Sequence, residues 1–355
     1  MSSTSKKESQ IIQSQMNTQT QSKVPPVIPR KYMLSAASIS QPDMSAYDET
    51  IAQLSGPLRY SMCNDFMFKY SFQENLYALK GLLVALLKIP DQDIVSINIL
   101  NPITLGDSPD DKNCILYIRL LLNNNQVINI EMQVKYQYYY PERSILYLCR
   151  CFDHLSQGEN YDLLLPCVQI SILDEEMFPR DDPRYTNEFY SEYYIQNRKT
   201  GQIFSDKFSL RMVSLKHLEN ADNKEELNGL YQWAKILKAE TWEDLKMLAN
   251  NNEYMKAMIS GLKVLSEDEK VQLACEARER DARDRSSMIA TAKAEAAAKA
   301  TSETTAKVAA EKDAQYQPII AEKDKAILEK DNALLEKDKL IAELQRQLAI
   351  NNNLT

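Results

Sequence analysis

Glycine is scarce in this chain: seven residues in 355, none in a cluster of the GxGxxG or GxxxxGK[ST] kind. Backbone that cradles a pyrophosphate needs such clusters, so dinucleotide-binding and P-loop chemistries are excluded. Histidine is scarcer still, with only His154 and His217, which leaves no His cluster and no Ser/His/Asp triad. His154 reads as a surface or helix-end residue, because no second His or Cys stands at ligand spacing. The six cysteines form no CxxC pair; they sit in hydrophobic segments and read as buried thiols rather than zinc ligands. No run approaches the roughly eighteen uncharged apolar residues of a membrane span, the best being 81–87. The first thirty residues lack the apolar core of a secretory signal. A cytoplasmic protein without membrane contact is expected. Basic surplus is missing too, since 42 cationic and 50 acidic side chains give a net charge of −8. A chain that coats nucleic acid by bulk charge is thereby excluded.

Hydrophobic residues, by contrast, make up 44% of the chain and support a sizeable core. Residues 1–45 are rich in Ser, Thr and Gln and read as a disordered tail. From Tyr60 the pattern turns apolar, and residues 65–87 read as one or two helices stopped by Pro90. Short β-branched runs follow at 94–100, 114–122 and 127–134, with Asn123–Gln126 as the turn of a hairpin. Along its second arm Ile128, Ile130 and Met132 alternate with Asn129, Glu131 and Gln133, so the three polar side chains share a face. The first arm sets Leu116, Ile118 and Leu120 against Ile115, Tyr117 and Arg119. Residues 141–156 read as a helix and 163–173 as a buried strand. The α-β-β-β-α-β order predicts an α/β fold, a mixed sheet flanked by helices. Residues 180–227, rich in tyrosine, resist assignment.

Helical periodicity returns from 225 to 285. Beyond it lie an alanine-rich stretch and the repeats EKDKAIL, EKDNALL and EKDKLIA. Ile320, Ile327, Leu334, Ile341 and Leu348 recur every seven residues, as one seam of a coiled coil would. The companion position holds Lys323, Lys330 and Lys337, so weak homo-oligomerisation through residues 319–348 competes with a single solvated helix. The expected organisation is a tail at 1–45, a sheet domain at 46–228, a helical region at 229–287, and an Ala-rich helix with a heptad tail at 288–355.

A carboxylate on one hairpin strand, with Glu-x-Gln on the next, can hold a divalent ion against a scissile phosphate while the second residue positions water. Glu131-Met132-Gln133 supplies the second half. The words NDFMFKYSF (64–72), CILYI (114–118), INIEMQ (128–133) and PERSILYL with QGENYDLLLPCVQISILD (141–174) together resemble the Rpn-type recombination-promoting nuclease and putative transposase family. That family is a branch of the PD-(D/E)XK nuclease superfamily, and the resemblance runs from about residue 60 to 285. It implies a restriction-endonuclease-like sheet and Mg²⁺-dependent cleavage of double-stranded DNA, with Glu131 and Gln133 catalytic.

The family's first aspartate falls at Tyr117, and a phenol with a pKa of about 10 is a poor ligand for a hard cation. Asp107, Asp110 or Asp111 could substitute. Asp65 could supply a metal ligand or cap its helix, and Arg119 could pair with Glu131 in place of the ion. Arg143, Tyr147 and Lys69 are assigned as nucleic-acid contacts, with helix packing as the competing role for Tyr147. The tyrosines at 136 and 138–140 could stack on bases or form the turn into the next helix. A DNA endonuclease-like protein of mobile DNA, active or silenced at Tyr117, is the leading reading. The competing ones are a non-catalytic DNA- or protein-binding module assembled through the C-terminal helix, and an interaction protein that makes no nucleic-acid contact.

Overall fold

The computed structural model describes residues 39, 40, 42, 47–101, 117–223 and 228–352. Contacts group the chain into two units, Met1–Arg280 and Asp281–Thr355. The first opens with helices α1 (Tyr47–Ala52), α2 (Asp65–Glu74) and α3 (Leu76–Leu87). Asparagine punctuates them: the Asn64 side-chain oxygen accepts the N–H groups of Phe66 and Met67, both at 3.1 Å. Asn75 does the same for Ala78 at 2.9 Å, which separates α2 from α3. Lys88 ends α3 in the left-handed region at φ 56°, and Pro90 prevents its continuation.

Strands β1 (Ile97–Ile99), β2 (Tyr117–Leu122) and β3 (Gln126–Gln133) form an antiparallel meander. The expected hairpin turn is present, with residues 123–125 between the paired Leu122 and Gln126, and Asn123 and Asn124 take positive φ of 50° and 57°, a conformation that asparagine adopts more readily than most residues. Asn123 Oδ1 also accepts the N–H groups of Val95 and Ser96, at 2.8 and 3.1 Å. Helix α4 (Tyr140–Phe152) leads to β4 (Cys167–Leu173), parallel to β3 and buried at every residue, as a strand covered on both faces must be. The stretch that resisted assignment contributes β5 (Tyr190–Tyr194) and β6 (Phe208–Ser214). The sheet order is β1-β2-β3-β4-β6-β5.

The two sheet faces differ. Ile118, Leu120, Ile128, Ile130, Val168, Ile170 and Ile172 belong to the large core with α2 and α3. Helices α5 (Leu230–Lys238), α6 (Trp242–Ala249) and α7 (Glu253–Glu267) enter that same core through Trp233, Leu245 and Met258. The expected boundary at 228/229 therefore does not divide the core, and the break between units falls at 280/281 rather than 287/288. Gly81 lets α3 approach α7 closely, since a Cβ there would strike the Cβ and Cγ of Tyr254. On the opposite face α4 covers a smaller cluster of Leu121, Val127, Leu148, Cys151, Leu165 and Cys167.

Helix α8 (Glu269–Asn352) is a single element of 84 residues where separate stretches were expected. Val271 and Cys275 of its first turns belong to the large core. Residues 283–347 are all exposed, including Ile320, Ile327, Leu334 and Ile341 at 50–61%. No helix among the described residues is long and apolar enough to cross a membrane. The expected N-terminal tail lies outside the described residues except for three, of which Ile39 packs against the core.

Candidate active site

Pairing of β2 with β3 places Tyr117 directly across from Glu131, and Arg119 across from Asn129. The hairpin alternation thus delivers its polar residues to one face, beneath α4. Glu131 is 5% exposed. Burial holds its carboxyl above the usual range; Arg143 opposes this by charge and hydrogen bond, while the Asp65 charge adds to it. Arg143 Nη2 donates to Glu131 Oε1 at 2.7 Å. The Glu131 Oε2 atom is buried without a partner at ordinary hydrogen-bond length.

The sequence of α4 explains how Arg143 arrives there. Pro141 in the first turn fixes the helix entry, Arg143 follows within that turn, and Tyr147 lies four residues later on the same side. The Arg143 guanidinium stands 5.0 Å from the Tyr147 ring centre, and Nη1 donates to Gln137 Oε1 at 3.2 Å. Tyr147 in turn packs on Tyr117, with ring centres 5.4 Å apart. The packing role for Tyr147 is thus present in the fold.

Arg119 does not pair with Glu131, one of the alternatives the sequence left open. Its Nη2 donates to the Tyr117 hydroxyl at 3.1 Å, because strand register sets it opposite Asn129, one step away from Glu131. The cation on Glu131 comes from the covering helix instead. Gln133 is turned aside, its Nε2 donating to the Lys135 carbonyl at 2.6 Å. Asp65 is not the helix cap, a role Asn64 fills; Asp65 Oδ1 accepts the N–H of Phe66 at 2.9 Å in the first turn of α2. Lys69 is 2% exposed, so it is not presented at the surface where a nucleic acid would meet it. Of the tyrosine run, Tyr138 and Tyr139 are more than 70% exposed at the turn into α4, whereas Tyr140 is buried.

His154 lies at a helix end, just beyond α4, as one of its two readings had it, but it is not at the surface. It is 1% exposed, with Nδ1 3.0 Å from the Cys151 carbonyl and Nε2 accepting the Leu165 N–H at 3.0 Å. Only a neutral ring protonated at Nδ1 satisfies both bonds. Cys149 is exposed rather than buried.

Two buried polar residues near Glu131, Gln169 and Ser171, escaped the sequence reading. Asn129 Nδ2 donates to Gln169 Oε1 at 2.6 Å, and Ser171 stands in register with Glu131 on β4. The Tyr140 hydroxyl lies among them, and burial drives its pKa upward. Gln169 and Ser171 alternate with isoleucines in a strand that looks uniformly apolar, and that alternation was the available signal.

Whether this donor set suits a divalent ion is a question of ligand chemistry. Hard cations select carboxylate oxygens and water. Tyr117 is a phenol whose pKa burial raises further, so it remains neutral. One Glu131 oxygen is already engaged by a guanidinium. Among the described residues no three His, Cys, Asp or Glu side chains are arranged to hold a metal. These residues do not fit the ion. Asp107, Asp110 and Asp111 lie outside the described residues.

The family model described as PD-(D/E)XK nuclease family transposase matches residues 62–292, from α2 through the sheet and into α8. No curated protein and no solved structure gives a significant match.

Proposed function

Since the chain belongs to the PD-(D/E)XK nuclease family transposases, we propose that it is a DNA-associated protein of mobile DNA whose hairpin centre is closed by an arginine–carboxylate pair and does not cut DNA. The observation that carries this reading is Arg143 Nη2 at 2.7 Å from Glu131 Oε1, with Tyr117 in register opposite. Nucleases of this superfamily use divalent metals, which activate water and neutralise the charge that develops at phosphorus. A guanidinium neutralises charge but cannot coordinate and ionise a water. Glu131 is then tied to Arg143 and Gln133 to the Lys135 carbonyl, and the partly exposed Arg143 is left to meet a phosphate at the rim. A cytoplasmic location, as expected from the sequence, belongs to this proposal.

The test is plasmid cleavage across a Mg²⁺ and Mn²⁺ titration. Wild type should stay at the background set by Glu131→Gln. The double variant Tyr117→Asp/Arg143→Gln, which restores the second carboxylate and frees the first, should acquire metal-dependent nicking. Metal-dependent cleavage by wild type that vanishes in Glu131→Gln would overturn the proposal.

A second element of the reading is assembly through residues 319–348, favoured by the exposed row of Ile320, Ile327, Leu334 and Ile341. Lysines at the companion position keep that assembly weak, because their ammonium groups must reach outward past the seam.

A further inference from the structure

Strands β5 and β6 stay paired as far as Tyr194 and Ser209, but the chain between them does not dissolve into a loop. Phe204 N–H donates to the Ile195 carbonyl, and Asn197 N–H to the Gln202 carbonyl, each at 2.8 Å. Gln196 and Ile203 form an antiparallel bridge. At the tip Asn197 Oδ1 accepts the N–H groups of Lys199 and Thr200, at 2.9 and 3.2 Å. Gly201 closes the turn at φ 73°, a conformation other residues resist. Residues 195–204 are thus an ordered two-stranded ribbon continuing beyond the sheet, and every one of them is exposed.

Its composition is unusual for a surface. Phe204 is 84% exposed, and Ile195 and Ile203 are each 49% exposed. The ribbon carries Arg198 and Lys199 and no carboxylate, so its charge is 2 − 0 = +2 in a chain of net −8. Among the described residues no carboxylate pairs with either cation.

We propose that the ribbon 195–204 enters the major groove of duplex DNA, with Arg198 and Lys199 on the phosphates and Phe204 against base edges. This rests on the DNA association proposed above. Two strands about 4.8 Å apart make a ribbon that a groove about 12 Å wide admits, and thymine methyl groups there offer an apolar contact. Two cations with no carboxylate partner give the tip a local positive charge on an otherwise acidic protein. Turn bonds that hold the ribbon in advance lower the ordering cost of binding. Glu131 aligns through Ser171 and Met212 with Ser191, three strands or about 14 Å away, and Ile195 lies about 13 Å further along β5. Ribbon variants therefore leave the hairpin centre untouched.

The experiment is fluorescence anisotropy of a labelled duplex with the full-length protein over a salt series, with melting curves as a check on folding. Removing two phosphate contacts in Arg198→Gln/Lys199→Gln should lower the slope of log K against log[salt] by about 1.8. Affinity at low salt should fall by about tenfold or more. Phe204→Ala should weaken binding with the slope unchanged. An unchanged slope and affinity in the double variant, alongside clear binding by wild type, would overturn the ribbon as a DNA contact and assign it to a protein partner. Absence of duplex binding by wild type would overturn both this inference and the DNA association beneath it.

Discussion

The same strands present two unlike faces. Ile118, Ile128, Ile130 and Ile170 point into a core where each is fully buried. Tyr117, Asn129, Glu131, Gln169 and Ser171, one residue out of phase, make a polar layer beneath α4. In that layer Asn129 Oδ1 and Gln169 Nε2 are buried without a hydrogen-bond partner. Buried polar atoms left in that state cost stability, whereas each buried aliphatic side chain contributes about 1.5–3 kcal/mol. One face is uniformly apolar, whereas the other mixes the apolar cluster under α4 with polar groups whose burial costs stability. Such an imbalance is the mark of a site rather than of a core.

The sharpest way to break that contrast is to damage the apolar face. Ile130→Ala should lower stability by about 2–5 kcal/mol, as loss of a buried aliphatic side chain does; urea denaturation monitored by circular dichroism measures it. A loss below about 1 kcal/mol would mean that the apolar face is not where stability resides.

The polar face should respond less, and in a pH-dependent way. Glu131 titrates above its ordinary 4.5 when folded, so the folded chain holds that proton more tightly than the unfolded one. The corresponding stability is fully present below about pH 4.5 and is lost as pH rises through the elevated folded value. Arg143 limits the loss by stabilising the carboxylate. Arg143→Gln should therefore extend the loss to higher pH, with a deficit against wild type on the order of 2 kcal/mol near pH 8, reduced because the guanidinium is partly exposed. Denaturation at pH 5 and pH 8 tests this, and a deficit equal at both would remove the ion pair from the explanation.

The tail provides a region with neither kind of face, and the smallest effect on stability. Truncation after Arg285 keeps Val271 and Cys275 in the core and should change unfolding free energy by less than about 0.5 kcal/mol. Its effect should appear in mass instead. Sedimentation equilibrium should detect weak association of the full chain, none in the truncation, and tighter association in Lys323→Leu/Lys330→Leu/Lys337→Leu. Monomers in all three cases would leave the tail a solitary helix.

Much of the polar face was legible because strand alternation is a local rule, and Asn129 and Glu131 obey it. The Arg143–Glu131 pair was not legible, since nothing in residues 131–143 says how far the covering helix reaches over the sheet. Arg119, as far from Glu131 in sequence as Arg143 is, sits on the hairpin itself and yet bonds to the Tyr117 hydroxyl instead. Strand β5 was hidden by its edge position, where Tyr190–Tyr194 is only partly buried and carries no apolar run. The burial of Lys69 and His154 was not legible, because their residue types favour the surface while neighbouring elements enclose them.

The paired asparagines of the β2–β3 turn have a reach beyond their own loop. Because side chains alternate, a slip of a single residue between these strands would exchange the two faces. Ile130 would then lie under α4 and Glu131 among the isoleucines. Asn123, held left-handed and tied to the backbone of Val95 and Ser96, acts as the stop that forbids this slip. The identity of the centre, whether acid or oil, is thus decided at a bend in the chain that carries no chemistry of its own.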